Sequence, residues 1–286
     1  MKTVSIEQIL THSSELSSLP ESVSQLNQLM QKENVNISEI ADIVASDPVL
    51  SARILKTVNS PYYGFPTKID TIAYAVSILG IDSIRYLALT STVISNFTKR
   101  INSIFPLETF WRHSFATAVI AQQLAKAAKI SHHERIFTCG LLHELGGLLI
   151  GMSNPDLYRQ IISSANHEKL SIFEAEKNIL GFNHFDISAN LLEAWQLPSS
   201  ISQTIKYMQL PGQKQDAIQD SAILSIADAV ASAIFPSVRL VNQELKLQSE
   251  YMTLAGIKPS QLNQILDELD NLVDNAMDGL FIELAA

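Results

Sequence analysis

Apolar residues recur along this chain at helical, three-to-four-residue spacing almost from end to end, and start and stop signals cut the pattern into many helices of about 10 to 20 residues. No run alternates as a strand would, so the predicted class is all-α. Ile37, Ile40, Ile43 and Val44 share one face that ends at Asp47-Pro48, a capping residue followed by proline at the first helical position. Leu50, Ile54, Leu55 and Val58 give the next helix its buried face, and Asn59-Ser60-Pro61 ends it. An aromatic turn, Tyr62-Tyr63-Gly64-Phe65-Pro66, follows. Gly80 then stops a helix built on Ile72, Val76 and Leu79, and Asp82 is placed to cap its successor.

A long helix is expected after Pro106, carrying Trp111, His113, Ala116, Val119, Ile120 and Leu124. Ser131 with Glu134 and Ser171 with Glu174 have capping-box spacing, and Asn154-Pro155 marks another start. Gly181 and Leu197-Pro198 end helices, and Leu210-Pro211-Gly212 opens a polar connector to the apolar helix of residues 222–235. Beyond Leu240 the pattern is amphipathic and acidic. Its stripe of Leu254, Ile257, Leu262, Ile265, Leu266, Leu269 and Leu272 reads as core or as an interaction surface.

Composition narrows the function. In 286 residues, 29 acidic and 20 basic side chains leave a net charge of −9, which argues against a phosphate-backbone binder. The single cysteine, Cys139, rules out an intrachain disulfide or a thiolate zinc cluster, and its apolar neighbours mark it as a small core residue. No signal-peptide pattern opens the chain, and no stretch approaches about 18 uninterrupted apolar residues. The expectation is a soluble, cytoplasmic protein without nucleic-acid or membrane partners.

Two polar residues interrupt strongly apolar helices: His143, in Gly140-Leu141-Leu142-His143-Glu144-Leu145, and Asp228, in the run from Ile223 to Val230. A buried carboxylate needs a partner, a metal or a raised pKa. A His–Asp hydrogen bond between core helices is one solution. With His113 and Glu144 added, the same residues form a nitrogen and oxygen set suited to one divalent ion: iron, manganese, nickel or zinc. His132 and His133 sit in a turn expected to face solvent, and Asn59 and Ser60 are suited to holding the backbone of theirs.

The order His113, His143-Glu144, Asp228 resembles the His, His-Asp, Asp order of the HD superfamily of metal-dependent phosphohydrolases. More specifically, Leu19 to Gly212, about two thirds of the chain, resembles the HDOD domain, an output domain of bacterial signalling proteins. The resemblance runs through Asp47-Pro48 to Asn59-Ser60, Tyr62-Tyr63-Gly64, Ala75 to Gly80 and Trp111-Arg112-His113-Ser114. It continues in Gly140 to His143, Gly181-Phe182-Asn183-His184 and Leu191 to Pro198, with Trp195. The resemblance implies an N-terminal helical lobe (residues 1–105), an HD-like bundle (106–235) and a C-terminal extension packed on the bundle (236–286). It places candidate metal ligands at His113, His143, Glu144 and Asp228. It also makes Asp47, Pro48, Asn59, Ser60, Tyr63, Gly80, His184 and Trp195 signature or structural positions.

Departures from catalytic HD enzymes set the functional expectation. Glutamate stands at 144 where those enzymes carry aspartate, the lysine that often follows is missing, and no Gly-Tyr-Pro motif is present. Met208, a poor ligand for hard ions, stands where relatives often carry paired histidines. The resemblance with these departures implies a non-enzymatic bacterial signal-transduction module, acting on a signalling partner in trans or through a small regulatory ligand. The alternative is a metal-dependent phosphohydrolase of a nucleotide or cyclic dinucleotide.

Overall fold

Caps written in the sequence begin many of the helices in the computed structural model, which describes residues 4–12, 19, 21–29, 35–100, 106–236 and 248–281. The helices are α1 (Ile6–His12), α2 (Glu21–Leu29), α3 (Ile37–Ala45), α4 (Pro48–Val58), α5 (Ile72–Leu79) and α6 (Ile81–Arg100). They continue as α7 (Leu107–Ala127), α8 (His133–Leu142), α9 (Leu145–Ser153), α10 (Pro155–Glu168), α11 (Ile172–Leu180) and α12 (His184–Ala194). The last are α13 (Ser199–Lys206), α14 (Ile218–Ile234), α15 (Ser249–Ala255), α16 (Pro259–Asp267) and α17 (Leu269–Phe281), with two short 3-10 turns before α14. No strand occurs among the described residues, and the chain is all-α.

Two compact units partition the chain, one of Met1–Ser17 with Ile101–Asp267 and the other of Ser18–Arg100 with Glu268–Ala286. This differs from the boundaries expected from the sequence. α1 belongs with the second half because it packs on α9 and α12. The C-terminal extension divides: α15 and α16 pack on α14 and α7, whereas α17 packs on α4 of the smaller unit. There Thr57 Oγ1 donates to the Gly279 carbonyl at 3.0 Å. A Cβ on Gly279 would lie 2.7 Å from Ser60 Oγ and 2.9 Å from Ser60 Cβ, so α17 has no room for a side chain where it meets the turn after α4. Residues 237–247 of the extension lie outside the described residues.

In the smaller unit Asp47 caps α4, accepting from the backbone N–H groups of Val49 and Leu50, and its other oxygen accepts from Ser22. Pro48 occupies the first helical position, where its missing N–H costs nothing. Asp47→Ala therefore removes about 1 to 2 kcal/mol, to be read in urea unfolding, with Asp47→Asn restoring most of it. Asn59 ends α4 and stitches the aromatic turn as expected, donating to the Leu55 and Ile69 carbonyls and accepting from Ile69 N–H at 2.8 Å. Within that turn Tyr63 stacks on Phe65 with centroids 6.2 Å apart. Gly80 ends α5 with φ +85, a left-handed value that favours glycine. Asp82 does not cap α6; it lies inside the first turn, 3.4 Å from Arg85.

The larger unit is built on α7, buried on nearly every face from Phe110 to Ala125, against α8 and α14. The two backbones of α7 and α8 come so close that a Cβ on Gly140 would meet Ala118 Cα at 2.5 Å. Capping boxes form at Ser171/Glu174 and at Asn183/Asp186, and Asn154 caps α10. The box expected at Ser131 does not form: α8 starts one residue later than that spacing requires, with His132 at its cap. Trp195 ends α12, only 5% exposed. By length and composition two helical stretches, His133–Ser153 and Gln215–Ile234, could cross a membrane, since each tolerates a few polar interruptions that an uninterrupted count does not. Of their apolar windows, 89% and 67% is buried inside the protein, the pattern of a core helix.

Candidate functional site

Three helices of the larger unit deliver the site. His113 comes from α7, His143 from the residue that ends α8, and Asp228 from the middle of α14. The close approach at Gly140 brings α8 near enough to α7 for the imidazole rings to lie 5.6 Å apart. His113 Nε2 and His143 Nε2 face the same oxygen, Asp228 Oδ1, at 3.3 and 3.4 Å. Both histidines are fully buried. The Asp228 side chain keeps 16% of its exposure, and Ser232, one turn along α14, approaches the same oxygen at 3.5 Å.

Each ring is oriented from behind. His113 Nδ1 donates to the Phe235 carbonyl at 3.0 Å, and His143 Nδ1 donates to the Gly140 carbonyl at 2.6 Å. A carbonyl only accepts, so both Nδ1 atoms carry hydrogen, and in its neutral form each ring presents an Nε2 lone pair toward Asp228. Ser188 locks the segment further: its hydroxyl donates to the His143 carbonyl at 2.7 Å and accepts from Gly146 N–H at 2.8 Å.

Two lone pairs and a carboxylate oxygen converging on one point repel one another unless a proton or a cation lies between them. Protons account for the electrostatics of the metal-free arrangement. Burial disfavours charge on Asp228 and pushes its carboxyl up, but the two imidazoles outweigh it and hold that carboxyl well below the usual carboxylate range. Burial likewise works against a proton on His143, and Asp228, the charge of Glu144 and the Gly140 carbonyl outweigh it and raise its pKa. A divalent cation answers the same geometry. The three ligand atoms lie within 4.8 Å of one another, they are N, N and O donors, and backbone carbonyls already fix the metal-binding tautomer. These residues therefore fit one divalent ion, which when bound would polarise a water or an oxygen ligand.

Glu144, the fourth expected ligand, points elsewhere. Among the described residues the cluster consists of His113, His143 and Asp228, while Glu144 Oε1 lies 3.5 Å from His184 Nε2. His184 serves an interhelix contact, as its position at a helix start suggests: its Nδ1 sits 2.5 Å from Glu176 Oε2, and its backbone N–H donates to the same oxygen. Glu176, fully buried, is the site-adjacent residue that motif reading missed. Periodicity contains the signal, because Glu176 falls at the apolar register of α11, four residues from both Ile172 and Leu180. An ion pair of part-buried Arg135 with buried Asp220 was missed as well. His132 is 44% exposed at its side chain and His133 is partly buried, its pKa lowered by burial and by Lys126 and His132. Cys139 is buried, and burial pushes its thiol up, which removes it as a nucleophile.

The model of the HDOD domain matches residues 16–211. A crystal structure from Shewanella amazonensis SB2B named "Putative phosphohydrolase" is 27% identical, with 97% of this chain and 98% of that one covered at a TM-score of 0.73. An HDOD domain protein with unknown function from Geobacter sulfurreducens has a TM-score of 0.75 at 22% identity, over 97% of this chain and 100% of that one, and shares the fold. A Treponema pallidum (strain Nichols) protein, named only as uncharacterized, is 26% identical over 202 residues, 66% of this chain; the chain spans 36% of that relative's length. On the family match, which covers well over half of its residues and includes both His113 and His143, this chain belongs to the HDOD domain family.

Proposed function

We propose that this chain is a non-catalytic regulatory module of the cytoplasm. In this reading the His113–His143–Asp228 triad holds a single divalent cation within the α7, α8 and α14 core, and the module acts on a signalling protein in trans or responds to a small regulatory ligand. The observation that carries the reading is enclosure: both imidazoles are fully buried and the carboxylate is 16% exposed. Three convergent donors suffice to hold an ion. Hydrolysis would require a phosphoester and a metal-bound water to reach that ion together. The −9 charge favours a protein over nucleic acid.

Metal-dependent phosphohydrolysis is the second reading. It is favoured by the N, N, O ligand set and by the name of the 27% identical Shewanella protein. The two readings separate in one experiment: metal analysis of protein purified without added metal, then titration of the stripped protein with Zn2+ and Mn2+, then assay of bis(p-nitrophenyl) phosphate. The regulatory reading expects about one ion per chain and no turnover above that of His143→Ala. Because His143 holds its proton above the ordinary histidine range, binding should tighten between about pH 6 and about pH 8 as that proton becomes easier to displace. Turnover abolished by His143→Ala would replace this reading with the phosphohydrolase, and failure to bind any ion would remove the cation from both.

A further inference from the structure

Glu144 directly follows a candidate ligand, yet its carboxylate is committed to a different chain of contacts. Glu176, His184 and Glu144 form a buried line in which each ring nitrogen of His184 faces a carboxylate, Nδ1 at 2.5 Å and Nε2 at 3.5 Å. The three residues are 0%, 3% and 6% exposed. Glu176 grips His184 twice, at the ring and at the backbone N–H, and Phe185 lies against the ring with centroids 3.9 Å apart. His184 therefore has little freedom to follow Glu144 if that carboxylate moves. A carboxylate in such a dry place needs partners, and moving to the cation would give up the approach to His184.

We propose that the Glu176–His184 pair is a positioning device that holds Glu144 off the cation, so that the site presents three protein ligands instead of four and thereby sets its preference among divalent metals. The inference rests on the reading that the triad binds a cation. Two imidazoles, one carboxylate and a water complete the tetrahedron that Zn2+ accepts, whereas an added carboxylate raises the coordination number and oxygen content toward what Mn2+ takes. A glutamate is long enough to span from the backbone beside His143 to His184, and this is what takes it out of the ligand set.

The test uses the full chain, stripped of metal and checked for folding by circular dichroism. Cobalt(II) absorption reports coordination number, and Zn2+/Mn2+ competition reports preference. Glu144→Gln is expected to leave Zn2+ affinity within about threefold and the cobalt spectrum unchanged, while Asp228→Asn costs about 100-fold or more. His184→Asn and Glu176→Gln free Glu144, so the cobalt bands should weaken as coordination rises, and the preference for Zn2+ over Mn2+ should narrow about tenfold. A purely structural role would lower the melting temperature without moving the spectrum. Loss of Zn2+ affinity in Glu144→Gln equal to that in Asp228→Asn would overturn the proposal, as would an unchanged cobalt spectrum in a folded Glu176→Gln protein. If His184→Asn does not fold, the Glu144→Gln and Glu176→Gln arms still decide. A wild-type chain that binds no ion at all fails at the earlier reading, a result distinct from either of these.

Discussion

Gly146→Ala unfolds at a free energy lower by about 3 kcal/mol or more, at the top of the range for overpacking, because the added methyl group meets backbone and not a movable side chain. An ideal Cβ at this position would stand 2.0 Å from the His184 carbonyl oxygen and 2.9 Å from Ile187 Cβ. Relief requires α12 to move away from α9, and that motion pulls on several contacts at once. Ser188 would lose its link between Gly146 N–H and the His143 carbonyl, and His184 would withdraw from Glu144. In thermal unfolding the variant should melt at least about 6 °C lower. Gly212→Ala is the control, since nothing lies within 4 Å of a Cβ there, and it should change stability by less than about 0.5 kcal/mol. If the two variants melt together, the close approach of α9 and α12 is wrong.

The second large effect belongs to Asp228. In metal-free protein Asp228→Asn should cost about 3 kcal/mol, because it leaves the Nε2 atoms of His113 and His143 facing an amide in place of a carboxylate. The pH dependence follows from the directions of the two shifts. Asp228 is held below its ordinary range, so its contribution is present above an unfolded carboxyl pKa of about 3.9 and fades as pH falls through the lower folded value. His143 is raised, so its contribution is full below an unfolded pKa of about 6.5 and is lost as pH rises through the higher folded value. Both operate between about pH 4 and about pH 6.5. Urea unfolding of wild type and Asp228→Asn in EDTA should therefore show the largest gap near about pH 5.5 and a smaller one near about pH 8.5. Equal gaps at the two values would show that the histidines and Asp228 are not coupled as the geometry requires.

Much of the helical layout was legible because the signals are local. Asp47-Pro48, Asn154-Pro155, Ser171/Glu174, Gly80 and Gly181 act within one turn of the backbone they start or stop, so a linear pattern carries them. Ser131 and Glu134 failed for the complementary reason. The residue types fit, but packing starts α8 one residue later, with His132 at the cap, so Glu134 falls out of register for the box, and its carboxyl is pushed up by burial against the opposing charge of Lys126. The acidic tail shows a similar limit. Its apolar stripe left core and interaction surface both open, and nothing in the periodicity says that α16 packs on α7 while α17 packs on α4.

By itself the sequence determined that the chain is all-α, where many of its helices begin and end, and that His143 and Asp228 stand in apolar helices where each needs a partner. Tertiary structure alone decided what those partners are. A helix at Gly140 approaching Ala118 within the reach of a methyl group brings His143 beside His113, 30 positions away in sequence, and sets both against Asp228. Tertiary structure also turned Glu144 toward His184 and Glu176, although in sequence it stands next to His143. Adjacency along a helix places two side chains about 100° apart, so neighbours in sequence face different neighbours in space, and only the packing of α9, α11 and α12 determines which.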